Sequence, residues 1–173
     1  MKKKVCGIIL IISIFMTFVP YIYAATVVDS GTCGDNATWS LNSNGTLTIS
    51  GTGEIYDGAG ENAEQPWYDL KDNIKSVVIN YGITNIPFAA FRDFQNITSI
   101  SLSNSIERIE LEAFINCTKL SDVSIPDSCK YLANDAFART KWYNNQPNGV
   151  VYCGNFLYTY KGTMPSNTSI NVK

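Results

Sequence analysis

The sequence predicts an α/β, β-rich solenoid, in which short parallel strands stack with short helical turns and are flanked by β-hairpin modules. Two observations predict it. The first is a gap-free internal repeat, because segments that start at Ile74, Ile97 and Leu120 carry the same physical type of residue at matching positions. The second is the alternation of apolar and polar residues near the start of each segment, which is the pattern of a strand with one buried face.

The repeat unit is 23 residues long, and the three units are residues 74–96, 97–119 and 120–142. One unit has two sides and no interior of its own, so its apolar side chains leave water only when the next unit stacks on it. Each fully buried side chain then contributes about 1.5 to 3 kcal/mol. The matching columns are Ile74, Ile97 and Leu120; Val77, Ile100 and Val123; Ile79, Leu102 and Ile125; Ile83, Ile106 and Cys129; Ile86, Ile109 and Leu132; and the pairs Ala90-Phe91, Ala113-Phe114 and Ala136-Phe137.

Each unit predicts a strand on one side and a helical turn on the other. The strand is the alternating segment that contains Val77 and Ile79 in the first unit. The Ala-Phe pair, followed three residues later by Phe94, Cys117 or Thr140, fits one or two turns of helix on the opposite side.

Residues 25–73 are predicted to form a β-rich module that caps the first unit. Trp39 and Leu41 alternate before an Asn44-Gly45 turn, and apolar residues alternate again after it, so residues 38–50 predict a hairpin. Pro66 then begins a short helix that leads to Ile74.

Residues 143–168 predict a second hairpin, inserted after the third unit, with a two-residue Gly154-Asn155 turn. Phe156, Tyr158 and Tyr160 are expected on one face of it, where core packing is favoured over a platform for a sugar. Residues 169–173 have the pattern of a further, incomplete repeat, which suggests a fragment of a longer array.

Residues 1–24 predict a secretory signal peptide. A basic start is followed by an apolar stretch from Val5 to Val19, then Pro20 and small residues, with Ala24 before the cut. An uncleaved anchor is the alternative, but the apolar run is short of the ~20 residues that span a bilayer. The mature chain is therefore expected to be secreted, either extracellular or at the cell surface, and to meet the membrane only during export.

Composition excludes several functions. The chain has no histidine, which removes nucleophilic hydrolysis assisted by that residue. A net charge of −2 without a basic cluster beyond the leader argues against nucleic acid as a partner. The grouped carboxylates Glu107, Glu110 and Glu112 are best explained as a solvated edge rather than as the paired acids of a polysaccharide hydrolase.

Four cysteines follow the leader. Cys117 and Cys129 occupy repeat columns that hold apolar residues in other units, so we interpret them, with Cys33 and Cys153, as small core residues. Disulfide bonds are the alternative, since secretion permits them. Their spacing lacks the close pairs of a zinc site, and no metal or cofactor is expected.

The second and third units carry the motif I-x-x-I-x-x-x-A-F-x-x-C-x-x-L-x-x-V-x-I-P from Ile106 to Pro126. This motif resembles the BspA-type leucine-rich repeat, found in bacterial and protist surface proteins. Pro87, Glu110 and Ala133 stand where that family usually has glycine. The segments S-G-T-C-G-D-N-A-T-W-S-L and Q-P-N-G-V-V-Y resemble the flanking modules of the same family. The resemblance implies adhesion or ligand binding at a cell surface.

In such repeats the outward side of the sheet is the usual contact surface. The sequence therefore predicts a non-catalytic binding or adhesion module for an extracellular protein or glycan. A structural spacer that displays another domain is the alternative, and a polysaccharide hydrolase is a third, disfavoured class. The expected contact residues are Ser76, Val78, Asn80, Ser99, Ser101, Ser103, Asp122 and Ser124.

Overall fold

The structure is a computed structural model that describes residues 25–58 and 64–166. The predicted signal peptide and the predicted further repeat at 169–173 lie outside these residues. The described chain is rich in strands and has few helices, and none of its helices is long and apolar enough to cross a membrane. Its elements are β1 (Val27–Thr32), β2 (Asn36–Asn42), β3 (Thr46–Thr52), a 3-10 helix (Tyr68–Leu70), β4 (Ser76–Ile79), β5 (Asn85–Ile86), β6 (Ser99–Leu102), β7 (Arg108–Ile109), β8 (Tyr131–Leu132), α1 (Lys141–Asn144), β9 (Gly149–Cys153) and β10 (Phe156–Lys161).

The first sheet joins the N-terminal strands to the repeat, in the order β1-β2-β3-β4-β6. Strands β2 and β3 form the hairpin predicted for residues 38–50. Gly45 takes the left-handed conformation that its turn requires, with φ of 86°. The side chain of Asn42 closes the turn by accepting bonds from the N–H groups of Asn44 and Thr46, each 3.0 Å long. Strand β1, which pairs with β2, was not predicted.

Parallel pairing repeats with the 23-residue period. In the first sheet Ser76 of β4 is paired with Ser99 of β6. A second sheet, in the order β5-β7-β8, pairs Asn85 with Arg108 and Arg108 with Tyr131. Each residue therefore lies beside its equivalent in the next unit, as the repeat predicts.

The side of each unit that carries the Ala-Phe pair is built from turns, and the predicted helical turns there are wrong. Phe91 N–H donates to Ala113 O in the next unit at 2.8 Å, and Phe114 N–H donates to Ala136 O at 2.7 Å. These donors are bonded between units rather than to the carbonyl four residues earlier. Asp93 and Asn116 have φ of 65° and 62°, a left-handed conformation that cannot continue an α-helix.

The aromatic residues of this side form one column through the core. The rings of Phe91 and Phe114 stack with centroids 5.0 Å apart, and those of Phe114 and Phe137 stack at 5.2 Å. Trp67, just before the 3-10 helix, continues the column with its centroid 5.6 Å from that of Phe91. All four side chains are fully buried, so each unit covers the ring of its neighbour.

The third predicted strand is missing. Residues 121–126 make no strand pairing, so the first sheet ends at β6. Pro126 occupies the position of Asn80, whose N–H donates to Ile49 O at 2.9 Å in the first unit. Proline has no N–H, and this closing bond cannot form in the third unit. The turn of the last hairpin also packs there, because a Cβ at Gly154 would lie 3.3 Å from that of Ile125.

The C-terminal hairpin, β9 with β10, covers the end of the aromatic column. Tyr158 is buried and packs against Phe137 and Trp142. Its hydroxyl accepts a 2.7 Å bond from Phe137 N–H. The equivalent N–H groups of Phe91 and Phe114 donate to a carbonyl of the next unit. Tyr158 thus replaces the carbonyl of a following repeat.

The interpretation of Tyr158 as a core residue is confirmed. The prediction that Phe156, Tyr158 and Tyr160 share one face of the hairpin is wrong. A bulge lies between Leu157 and Thr159, and it places Tyr160 opposite the exposed Val150. Tyr160 therefore faces away from the side on which Tyr158 packs.

Phe114→Ala is expected to lower the free energy of unfolding by about 3 to 5 kcal/mol, because it opens a cavity between two neighbouring rings. Denaturant titration measures the change. Leu111→Ala, at an exposed position of the same unit, is the control and should cost less than about 1 kcal/mol. A similarly small loss for Phe114→Ala would show that this ring is not part of a packed column.

Tyr158→Phe is expected to cost about 1 to 3 kcal/mol, because it leaves the buried Phe137 N–H without an acceptor. The same titration applies, and hydrogen exchange at the Phe137 amide should accelerate. Tyr152→Phe removes an exposed hydroxyl from the same hairpin and should change neither quantity. Equal behaviour of the two variants would contradict the capping role.

Candidate binding surface

The outward side of the first sheet is a surface of short polar side chains. Alternation along the strands sends Trp39, Leu41, Leu47 and Ile49 into the core, and the intervening residues outward. We call the outward set the hydroxyl face: Ser30, Thr32, Thr38, Ser40, Thr46, Thr48, Ser50, Ser76, Val78, Asn80, Ser99, Ser101 and Ser103.

The structure brings six of the predicted contact residues together on this face. They are those of the first two units, from β4 and β6 and the residue that follows each strand. Asp122 and Ser124 of the third unit are exposed but are not part of the sheet, because residues 121–126 form no strand. Their predicted place on a continuous strand face is therefore wrong, for the same reason as the missing strand.

Seven members of the hydroxyl face, all on β1 to β3, were missed by the prediction. The sequence did carry a signal, since Thr38, Ser40, Thr46, Thr48 and Ser50 alternate with the apolar residues of the predicted hairpin. The sequence did not indicate how β3 is aligned with β4. Thr46 is paired with Ser76, and the spacing between these two residues differs from the 23-residue period of the repeat.

The hydroxyl face is a regular array. One row crosses all five strands, from Ser30 through Ser40, Thr48 and Val78 to Ser101. Neighbouring strands lie about 4.8 Å apart, so this row is roughly 19 Å long. A ligand along this row therefore meets side chains at nearly constant intervals, hydroxyl groups on four strands and the apolar Val78 on β4.

Hydrogen bonds between strands hold several of these side chains in place. Ser76 Oγ donates to Thr46 Oγ1 at 3.0 Å, and Asn80 Nδ2 donates to Ser50 Oγ at 2.9 Å. Ser103 Oγ donates to the Asn80 carbonyl at 3.1 Å. A hydroxyl both donates and accepts, so these groups keep hydrogen-bonding capacity for a ligand while their orientation is restricted.

The hydroxyl face carries no ionisable side chain. The ion pairs of the described chain lie elsewhere: Arg108 with Glu54 and Glu110, Arg92 with Glu112, and Lys130 with Glu107. Within residues 25–58 and 64–166 no group of acidic or cysteine residues is arranged to hold a metal ion. The face can form hydrogen bonds, but it offers no acid, base or metal ligand for chemistry.

The four cysteines of the described chain are buried and unbridged. Burial raises the pKa of Cys33 to about 11 and the pKa values of Cys117 and Cys153 to about 12. Burial also raises the pKa of Cys129, against a smaller lowering by the backbone of Tyr131. These thiols stay protonated at neutral pH and are poor nucleophiles.

The chain belongs to the BspA-type leucine-rich-repeat family. The family model described as BspA type leucine rich repeat region (6 copies) matches residues 64–162, which is more than half of the chain. This match confirms the resemblance that was based on the motif from Ile106 to Pro126.

The chain is similar to solved structures of leucine-rich-repeat proteins, the first of which supports the same fold. A leucine-rich repeat protein from Eubacterium ventriosum is 25% identical over 65% of this chain and 36% of its own, with a TM-score of 0.51. A leucine rich cell surface protein from Faecalibacterium prausnitzii is 21% identical over 60% of this chain and 32% of its own, with a TM-score of 0.35. This chain therefore spans about a third of the length of these two structures. No curated protein matches it.

A thiol reagent such as 5,5′-dithiobis(2-nitrobenzoate) is expected to leave Cys33, Cys117, Cys129 and Cys153 unmodified in the folded protein at pH 8. All four thiols are buried, and each has a pKa raised by burial. In the chain without residues 1–24, which contain the fifth cysteine, all four should react once guanidinium unfolds the protein, as release of the reagent's chromophore would report. Rapid reaction of Cys117 before unfolding would contradict its place in the core.

Proposed function

We propose that the chain is a secreted or cell-surface binding module, built as the coils of a leucine-rich-repeat solenoid, which holds an extracellular protein or glycan without chemical turnover. The observation that carries the proposal is the hydroxyl face, an uncharged array that crosses five paired strands. The leader-like residues 1–24 support export.

The chemistry of the face supports binding rather than catalysis. General acid-base catalysis needs an ionisable group near the reacting atoms, and the hydroxyl face has none. The whole sequence also lacks histidine, and the buried thiols are protonated. The family consists, in general, of non-catalytic repeat proteins.

The shape of the face supports contact with an extended partner. Serine and threonine side chains are short, so fixing them costs little rotamer entropy. Their hydroxyl groups can donate to and accept from a partner's polar groups in rows. Because the face has neither large aromatic residues nor arginine, it lacks the anchors that dominate tight compact interfaces. We therefore expect a modest affinity, made useful by many copies at a surface.

A structural spacer is the second candidate. The bonds among Ser76, Thr46, Asn80 and Ser50 satisfy part of the face internally. Such a surface could simply remain solvated while the repeat separates other domains of a longer protein.

The triple variant Ser99→Glu, Ser101→Glu and Ser103→Glu is expected to reduce retention on immobilised extracellular-matrix proteins and polysaccharides at least tenfold, because it places three carboxylates on an uncharged face. The matched control is Thr118→Glu, Asn134→Glu and Thr163→Glu, which adds the same charge at exposed positions away from the face. Both variants should unfold at the temperature of the parent.

Equal retention of the face variant and the parent would exclude this face as the contact surface. A parent chain that none of the immobilised partners retains would favour the spacer.

A further inference from the structure

We propose that a groove at the junction between the N-terminal strands and the repeat binds a neutral sugar residue. The groove has a volume of about 380 Å³ and takes its walls from the segment after β3, from the first unit and from the second unit. None of its residues belongs to the hydroxyl face. The proposal goes beyond the function of that face and does not depend on it.

The floor of the groove is fixed by Asn85. This side chain is 5% exposed, accepts a 2.6 Å bond from Ile55 N–H and donates a 3.1 Å bond to Ile55 O. The segment after β3 is thereby clamped to the first unit. A rigid floor lowers the entropy cost of ligand binding.

Arg108 provides an oriented hydrogen-bond donor. Its Nη2 donates to Glu54 Oε1 at 2.8 Å, and its Nε donates to Glu110 Oε1 at 3.3 Å. The guanidinium is therefore held between carboxylates from two different parts of the chain. The Nη1 hydrogens of Arg108 and the second oxygen of each carboxylate take no part in these bonds, and they remain for a ligand.

Aromatic residues complete the walls. Tyr56 is 54% exposed, and its hydroxyl donates to the carboxylate of Asp35, which fixes the ring at the rim of the groove. Phe88 is half-buried and also lines the groove, with the Arg92 guanidinium 5.0 Å from the centroid of its ring. Aromatic rings offer an apolar face beside polar groups, which is the combination that the two sides of a sugar ring require.

The charges select the class of ligand. Glu54, Asp57 and Glu110 outnumber Arg108, so an anionic ligand would be repelled. A cationic ligand would compete with Arg108, which already holds two of the three carboxylates. A neutral polyol avoids both costs, because its hydroxyl groups donate to carboxylates and accept from a guanidinium. The volume lies at the low end of ligand pockets, which run from about 300 to 1,000 Å³, and suits one or two sugar residues.

Titration of the ¹⁵N-labelled protein with the methyl glycosides of glucose, galactose, mannose and N-acetylglucosamine tests the proposal by NMR. At least one glycoside is expected to shift the Arg108 Nε–H and Asn85 Nδ2 resonances saturably. Tyr56→Ala should weaken this binding at least tenfold. The matched control is Tyr152→Ala in β9, whose side chain is exposed to nearly the same degree, 56% against 54%, and which should bind as the parent does.

Dispersed spectra of both variants verify that they fold. Glucuronate and lysine serve as anionic and cationic probes. The proposal is overturned if no neutral glycoside gives saturable shifts at Arg108 and Asn85, if only lysine or glucuronate does, or if Tyr56→Ala binds the glycoside as tightly as Tyr152→Ala.

The triple glutamate variant of the hydroxyl face separates the two proposals. It should keep the response of the groove to the glycoside while it loses retention on matrix partners. If the variant keeps the retention of the parent, the proposal for the hydroxyl face has failed. If the parent gives no saturable glycoside shifts, the proposal for the groove has failed.

Discussion

The hydrogen bonds between successive units are the interaction on which the rest of the structure depends. On both sheets and along the Phe91–Phe114–Phe137 side, a backbone donor finds its acceptor in the neighbouring unit. An unpaired buried N–H costs about 1 to 3 kcal/mol, so a single unit could not bury its core. The register of these bonds aligns equivalent side chains, which brings the phenylalanine rings into contact and places the small polar residues in rows.

The ends of the stack show how strong this constraint is. At the N-terminal end, β3 pairs with β4 and satisfies the first unit, while Trp67 covers Phe91. At the other end no further unit follows in the described chain, and the hydroxyl of Tyr158 takes the place of its carbonyl. Both ends are closed by residues outside the repeat that reproduce one of its contacts.

Much of the fold could be predicted because the apolar positions of the repeat correspond to positions that are buried between stacked units. Apolar columns and alternating strands follow from burial, and Asn44-Gly45 and Gly154-Asn155 are local turn signals. The turns beside the phenylalanines could not be predicted, since an Ala-Phe pair also suits a helix, and the left-handed residues Asp93 and Asn116 are not glycines. The absence of the third strand could not be predicted, because residues 121–126 keep the alternation of the repeat. Pro126 lacks an N–H to donate, and the turn of the last hairpin packs against Ile125.

The two candidate sites also differ in how far the repeat allowed them to be predicted. The repeat made the outward residues of β4 and β6 predictable, whereas the extension of the face onto β1 to β3 needed a register that no periodicity contains. The groove was beyond prediction, because Glu54 and Arg108 meet only through the pairing of the cap with the units. In the column of Asn85, Arg108 and Tyr131 the equivalent residues differ in chemistry. Regular columns thus build the scaffold, and an irregular column contributes Asn85 and Arg108 to the groove.

Native-state hydrogen exchange at Phe91, Asp93, Phe114 and Asn116 tests the central claim most directly, because each amide donates to the neighbouring unit. If the bonds between units hold the fold together, these four amides should exchange only through global unfolding, with one shared free energy that falls with denaturant as steeply as the unfolding equilibrium does. Exchange of these amides by independent local opening, at free energies far below that of unfolding, would contradict the account.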